Sequence, residues 1–229
     1  MSAVSRTTRP AGHVLVVNPN SDPEVTGRLR DAARRALPSG IRAEVANPAG
    51  GPFAIETDSQ KAEAVPRVLD LVRERGFGRF GAIAMGCFDD LALEELRRLA
   101  PVPVVGTFEA GLLHVRSLSS RFAIVTTFEA ALPGIAGLLR RYGAPDCVGI
   151  RAAGVGVAAA ARSDDATTAR IEAAVRAAIE TDGAHAILLG SGGLTGWAPQ
   201  LQERFRVPVV DGVESAIRIA GALAVSRSA

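Results

Sequence analysis

The sequence predicts an α/β protein of two related lobes, each a mostly parallel sheet flanked by helices, with a binding cleft between the lobes. Short β-branched runs alternate with amphipathic helical patterns, which is typical of parallel sheets. The pattern also occurs twice. Gly86 precedes Val102-Pro-Val-Val105 by sixteen residues, and Gly190 precedes Val207-Pro-Val-Val210 by seventeen. We therefore expect a pseudo-twofold relation between the two halves.

The first lobe begins with a β-branched strand at residues 14–17. Asp22 is expected to cap the next helix, because Pro23 suits its first position and Glu24 its first turn. A glycine at position 76 is a suitable residue to end a long helix. The remaining elements predicted here are a strand at 41–46, a helix at 57–75, a strand at 82–85, a helix at 91–99, a strand at 102–105 and a helix from 109.

The second lobe repeats this order. Its predicted elements are a strand at 122–125, a helix ending at Tyr142, a weak strand at 148–150, an ambiguous stretch at 155–161, a helix from about 163 to 182, a strand at 186–189, a loop at 190–196, a helix ending at Phe205, a strand at 207–210 and a helix from Glu214. We assign residues 13–115 and 214–229 to the first lobe, and 116–213 to the second.

Composition limits the classes of protein that fit. The 229 residues are 48% hydrophobic and 4% aromatic, and the net charge of +2 comes from scattered arginines. No surface is therefore marked for nucleic acid, and no apolar run approaches the roughly 20 residues of a membrane helix. Residues 1–12 lack the apolar centre of a signal peptide and are predicted to be a disordered arm. We expect a cytoplasmic protein with neither a membrane nor a nucleic-acid partner.

Two turns carry the candidate chemistry. Cys87 follows Gly86 at the end of one predicted strand, and Ser191 follows Gly190 at the equivalent place in the other half. Because ligands bind at the carboxyl ends of parallel strands, Asn18, Cys87, Thr126 and Ser191 are expected to face one cavity.

Cys87 has two interpretations from its position. At the start of a helix, the dipole and free N–H groups would lower its thiol pKa and make it reactive. Alternatively, it is a small buried core residue, as free cysteines commonly are. Cys147 lies before a weak strand and is interpreted as structural. Asp89 and Asp90 could simply be favourable charges at the beginning of a helix.

The loop at residues 190–196 offers backbone N–H groups that could cradle an anion. It lacks the patterns of a P-loop, a dinucleotide-binding loop or a GxSxG elbow. His185 is expected at the strand end away from the cleft, so a triad with Ser191 is not predicted. The two separated cysteines and three dispersed histidines indicate neither a disulfide framework nor a metal site.

Several motifs together resemble the aspartate/glutamate/hydantoin racemase superfamily, and most closely its hydantoin and allantoin racemase branch. The match covers nearly the whole chain. The motifs are Asn18-Pro-Asn-Ser21, Gly86-Cys-Phe-Asp89, Pro103-Val-Val-Gly106 with Glu109-Ala110, Val125-Thr-Thr127 and Val207-Pro-Val-Val-Asp-Gly212.

The resemblance implies a racemase that needs no cofactor and acts on a small-molecule substrate, commonly as a homo-oligomer. In this family, each lobe contributes one cysteine, and the two lie on opposite faces of the substrate α-carbon. The resemblance therefore implies that Cys87 is an acid/base and that Ser191 stands at the second acid/base position. The substrate-binding residues it implies are Asn18, Ser21, Phe88, Asp89, Thr126, Thr127, Gly192 and Gly193.

Ser191 departs from the family pattern, which has cysteine there. A serine hydroxyl is a much weaker acid than a thiol and has no evident base beside it. Three explanations stay open: an engineered replacement, a natural site that relays protons through water, or a single-cysteine enzyme resembling arylmalonate decarboxylase. That decarboxylase keeps its cysteine in the second lobe, unlike this chain. A binding protein that has lost catalysis is a further alternative.

Overall fold

The computed structural model describes residues 12–226. In this part of the chain, two four-stranded sheets form, and the strand pairings within them are parallel. Helices flank both sheets. The predicted fold class is therefore confirmed. The predicted disordered arm lies outside the described residues, except for Gly12.

The first sheet consists of β1 (His13–Val17), β2 (Arg42–Ala46), β3 (Ala82–Met85) and β4 (Val104–Val105), in the spatial order β2-β1-β3-β4. The helices of this half are α1 (Pro23–Ala36), α2 (Asp58–Arg75), α3 (Leu93–Leu99) and α4 (Thr107–Leu118).

The second sheet consists of β5 (Phe122–Thr126), β6 (Cys147–Ala152), β7 (Ala186–Leu189) and β8 (Val209–Asp211), in the spatial order β6-β5-β7-β8. Its helices are α5 (Leu132–Arg141), α6 (Val157–Arg162), α7 (Asp165–Glu180), α8 (Ala198–Phe205) and α9 (Gly212–Ser226). The spatial order matches that of the first sheet, strand for strand, as the internal repeat predicts.

The central strands are apolar because helices cover both of their faces. Val16 in β1 pairs with Val45 on one side and Ala84 on the other. In the second sheet, Ile124 in β5 pairs with Ile150 and Leu188. Strands β3, β5 and β7, and β1 after His13, are buried throughout and so hold the turns at their carboxyl ends in position.

Helices α4 and α9 are exchanged between the two sheets. Helix α4 follows β4, but its Phe108 packs in one apolar cluster with Phe122 and Leu188 of the second sheet. Helix α9 follows β8, but its Ile217 packs in a cluster with Val16 of the first sheet. The exchange ties the two halves together, so the cleft between them has rigid walls. The assignment of residues to two lobes stays a prediction.

Several element boundaries differ from the predicted ones. Helices α4 and α9 each begin two residues early, because carboxylates cap them: the half-buried Asp90 accepts from the Phe108 N–H at 2.9 Å, and the buried Asp211 accepts from the Val213 N–H at 2.9 Å. Helix α6 forms within the ambiguous stretch, and β6 is six residues long. Helix α2 continues through Pro66. None of the described helices is long and apolar enough to cross a membrane.

A candidate active site between the two sheets

The turns after β3 and β7 lie against each other, and glycines make this possible. A Cβ at Gly192 would lie 3.1 Å from the carbonyl oxygen of Gly86, and one at Gly190 would lie 3.2 Å from a ring carbon of Phe88. Both contacts are tighter than an ordinary side chain allows. The two halves of the repeat therefore meet at these turns, as the sequence spacing predicts.

A cleft of about 450 Å³, including its open mouth, is lined by both turns. Among the predicted site residues, those that line this cleft are Cys87, Phe88, Asp89, Thr126, Ser191 and Gly192. Cys87 and Ser191, which stand at equivalent points of the repeat, therefore share one cavity.

Cys87 is not at the beginning of a helix, so this prediction was wrong. Helix α3 begins only at Leu93, after Asp90 and Ala92 adopt left-handed backbone conformations with φ of 51° and 60°. The Asp90 carboxylate accepts from the Phe108 and Glu109 N–H groups of α4. Asp90 therefore caps α4 and not α3. Cys87 is too far from the beginning of α3 for the dipole of that helix to lower its thiol pKa.

The electrostatic surroundings of Cys87 also differ from the expected ones. The residue is half-buried at the cleft wall. Loss of water around the thiol, with a smaller contribution from the Asp89 carboxylate, raises the pKa of Cys87 to about 12. The Asp89 backbone N–H and the Lys61 ammonium oppose this rise in pKa. Cys87 is therefore a neutral thiol at neutral pH, ready to donate a proton.

Asp89 is held by a cation from a neighbouring helix. Its Oδ2 lies 2.6 Å from Nζ of Lys61, which α2 supplies, and both side chains are about three-quarters buried. Because Asp89 also lines the cleft beside Cys87, the pair places compensated charges next to the thiol. Lys61 could not be predicted from the sequence, since no local pattern joins α2 to this turn.

Ser191 accepts two hydrogen bonds. Its Oγ accepts from Thr127 Oγ1 at 3.2 Å and from the Gly193 N–H at 3.3 Å. A hydroxyl has two lone pairs and one proton, so these contacts occupy both lone pairs and leave the proton to be donated. Among the described residues, no carboxylate or imidazole contacts Ser191. The arrangement therefore suits a hydrogen-bond donor and not a base.

Asn18 does not face the cavity, contrary to the prediction. It is fully buried, and its Nδ2 donates to Asn20 Oδ1 and Thr26 Oγ1, both at 2.9 Å. These bonds fix Asn20, which does line the cleft. Within the described part of the chain, no acceptor takes the Nδ2 hydrogens of Asn20, so they are available to a ligand. The Asn-Pro-Asn motif contains both asparagines, but the sequence alone does not show which of them lines the cleft.

The other predicted polar groups stabilise the turns. The Thr126 hydroxyl donates to the Gly190 carbonyl at 2.8 Å, and that of Ser21 donates to the Gly51 and Pro52 carbonyls at 3.3 Å. Gly193 packs against α6, where a Cβ would lie 2.4 Å from the Val157 carbonyl oxygen. Ser21, Thr127 and Gly193 do not line the cleft in the described residues.

An apolar wall completes the cleft, and the sequence analysis missed it. It consists of Ile55, Phe128, Ala131 and Val157. Glu56, next to Ile55, accepts from the Val157 N–H at 2.8 Å and so joins the first half to the start of α6. The wall presents an apolar surface to the cleft. In residues 12–226, no group of His, Cys, Asp or Glu side chains could hold a metal ion.

Comparisons with known proteins identify the family and support the fold. The family model described as Asp/Glu/hydantoin racemase matches residues 14–220. Hydantoin racemases from Paenarthrobacter aurescens and Rhizobium meliloti are 32% and 31% identical over 212 residues, covering 92% of this chain and 90% and 88% of theirs. The solved structure of allantoin racemase from Klebsiella pneumoniae superposes with a TM-score of 0.88 at 31% identity, covering 95% of this chain and 89% of that one.

Proposed function

The chain belongs to the Asp/Glu/hydantoin racemase family, and we propose that it inverts the α-carbon of a 5-substituted hydantoin or of allantoin. The observation that supports this proposal is the meeting of Cys87 and Ser191 on one cleft, at equivalent turns of the repeat. A planar ring placed between the turns would present opposite faces of its α-carbon to the two residues. We also propose that the protein works in the cytoplasm as a homo-oligomer and without a cofactor.

In the proposed reaction, Cys87 is the acid/base. Its thiolate removes the α-proton, and the electron pair moves into the adjacent ring carbonyl to form an enolate. With a pKa of about 12, the thiolate is scarce at neutral pH, but it is a strong base for a weakly acidic C–H group. In the reverse sense, the neutral thiol protonates the enolate on the same face.

The growing charge on the enolate oxygen needs fixed donors. We propose that the Asn20 side chain and the backbone N–H groups around Phe88 and Gly192 supply them, because these residues line the same cleft as Cys87. The apolar wall, which includes Ile55 and Phe128, would contact the 5-substituent.

Ser191 has a different role in this proposal. Because its lone pairs are occupied by Thr127 and Gly193, it donates its hydroxyl hydrogen to a water molecule on the enolate face opposite Cys87. That water gives a proton to the α-carbon, and the hydroxide left behind is neutralised by the proton that Cys87 took. Protonation on that face is slower than the return of a proton by Cys87. A substrate enantiomer with its α-hydrogen towards Cys87 should therefore exchange that hydrogen with solvent more often than it inverts.

The test is to follow each enantiomer of a 5-substituted hydantoin, and of allantoin, in D2O by NMR and chiral chromatography. We expect deuterium incorporation to exceed inversion for one enantiomer, above the rate without enzyme, and to be lost in Cys87→Ala. Exchange that survives Cys87→Ala would exclude this acid/base. Cys87-dependent release of CO2 from an arylmalonate, without hydantoin exchange, would favour the decarboxylase alternative. Saturable binding without either reaction would indicate a binding protein.

A further inference from the structure

Lys61 is the only lysine in the chain, since the other 25 of its 26 basic residues are arginine. It does not lie on an open surface. The Lys61–Asp89 ion pair has side-chain exposures of 26% and 23%, and no other ion pair found in residues 12–226 has both partners below 30%. Exposed ion pairs contribute little, whereas partly buried pairs are weakly screened by solvent. This pair is therefore the one most able to affect a neighbouring ionisable group.

The pair lies beside Cys87 and at the junction of the two halves. Asp89 is two residues after Cys87 and lines the same cleft. Lys61 Nζ is 2.6 Å from Asp89 Oδ2, and it would be 3.8 Å from a Cβ at Gly134 in α5 of the other half. The capping box of α2, formed by Thr57 and Gln60, fixes the helical turn that carries Lys61.

We propose that Lys61 is a positioning residue for Cys87: its ammonium holds the Asp89 carboxylate and compensates that negative charge when the Cys87 thiolate forms. This inference rests on the proposed function, because that function makes the Cys87 thiolate the catalytic base. The contact between Lys61 and Asp89 does not depend on it. It identifies a group, outside the two symmetric turns, on which the reactivity of the thiol depends.

The charges around the thiol explain why compensation is needed. A thiolate at Cys87 forms close to the carboxylates of Asp89 and Asp90, both of which raise the pKa of the thiol, and Lys61 is the cation that lowers it. Like charges in a site with little water repel strongly. Without Lys61, the Asp89 carboxylate would be left uncompensated next to the developing thiolate.

Lys61 remains charged in this environment. Burial by itself would lower its pKa, but the hydrogen bond and charge of Asp89, with smaller contributions from Cys87 and Asp58, raise the pKa above its usual value. The ammonium is 2.6 Å from Asp89 Oδ2 and at an ordinary contact distance, 3.8 Å, from a Cβ at Gly134 of α5.

The experiment measures the rate at which iodoacetamide alkylates Cys87 in the complete protein, quantified by mass spectrometry on the peptide that contains Cys87. Because only the thiolate reacts, the rate between about pH 8 and 10 reports the thiolate fraction. We expect Lys61→Met to slow alkylation roughly tenfold at each pH, as a shift of about one pKa unit requires. Lys61→Arg keeps the charge and should remain within about threefold of wild type.

A second variant separates charge from folding. In Lys61→Met/Asp89→Asn, the uncompensated carboxylate is absent, so the alkylation rate should recover most of the loss. Arg73→Met, which removes a cation from an exposed pair on the same helix, should change nothing. The inference is overturned if Lys61→Met leaves the rate unchanged, if Lys61→Arg is as slow as Lys61→Met, or if the double variant does not recover.

Alkylation requires no turnover, so the two proposals fail in different ways. A shifted alkylation rate in a protein without hydantoin exchange would keep the role of Lys61 and reject the proposed function. Cys87-dependent hydantoin exchange, with an alkylation rate that is the same in Lys61→Met and wild type, would keep the proposed function and reject the role of Lys61.

Discussion

The Thr127 hydroxyl donates to the hydroxyl oxygen of Ser191 across 3.2 Å. Thr127 is fully buried behind the cleft wall, and Ser191 stands on it. A buried donor therefore supports the residue at the second turn, while the first turn presents a thiol supported by the Lys61–Asp89 pair. The two turns have the same position in the repeat but opposite preferences: one residue can become a base, and the other can only donate.

Restoring a thiol at the second position should restore symmetric chemistry. We expect Ser191→Cys to raise the rate of inversion of a hydantoin by about 100-fold or more, because a general base contributes at least that factor. Chiral chromatography of both enantiomers measures this rate. The matched control is Ser191→Ala, which should lower inversion and leave exchange at the Cys87 face in place. No gain from Ser191→Cys would mean that the second face does not contact the α-carbon.

Removing the Thr127 hydroxyl, which donates to Ser191, should affect only the reaction on the substrate face opposite Cys87. In Thr127→Val, one lone pair of Ser191 is released, so the hydroxyl can turn away from the cleft. We expect inversion to fall about tenfold, and the free energy of unfolding to fall by about 1 kcal/mol, the usual contribution of one hydrogen bond. Thr127→Ser keeps the hydroxyl and serves as the control. Equal inversion rates for Thr127→Val and wild type would show that this support is unnecessary.

The raised pKa of Cys87 predicts a steep dependence on pH. In the proposed reaction the Cys87 thiolate is the base, and with a pKa of about 12 the thiolate fraction rises roughly tenfold per pH unit well below that value. Enzyme-dependent deuterium exchange in the hydantoin should therefore increase with this slope from about pH 6 to 9. Subtraction of the rate without enzyme is essential, since free hydantoins also exchange in alkali. A slope that flattens towards pH 9 would instead indicate a thiol with an ordinary pKa, 9.0.

Asp90 should make the stability of the protein depend on pH. Burial raises the pKa of Asp90 from 3.8 to about 7, although the Phe108 and Glu109 N–H groups and the Tyr142 hydroxyl oppose this. The folded state thus holds the proton more tightly than the unfolded state does. Its contribution is fully present below pH 3.8 and is lost as the pH rises through about 7.

The corresponding test is urea unfolding of wild type and Asp90→Asn at several pH values. An amide does not titrate, so the decline in unfolding free energy between about pH 4 and 7 should be smaller in the variant. Asp31→Asn, at an exposed ion pair on α1, is the control. Parallel stability curves for wild type and Asp90→Asn would contradict the shifted pKa.

Most of the architecture could be predicted from the sequence because its signals are local. The strand at 82–85 and the cap at Asp22 depend on residues within one element and its flanking turn. The sixteen- and seventeen-residue spacings after Gly86 and Gly190 then identified the two equivalent turns. Cys87 and Ser191 were brought to one cleft by this repeat, without any tertiary information.

What the sequence could not determine depends on contacts between distant segments. The Asp90 side chain caps a helix that begins seventeen residues later, so α3 starts late and Cys87 lacks the expected dipole. Asn18 turns inwards to hold Asn20, and the charge beside the thiol comes from Lys61 on another helix. The sequence by itself determined where the chemical groups stand along the fold. Only the tertiary structure decided their protonation, because water exclusion and nearby charges arise when separate elements pack together.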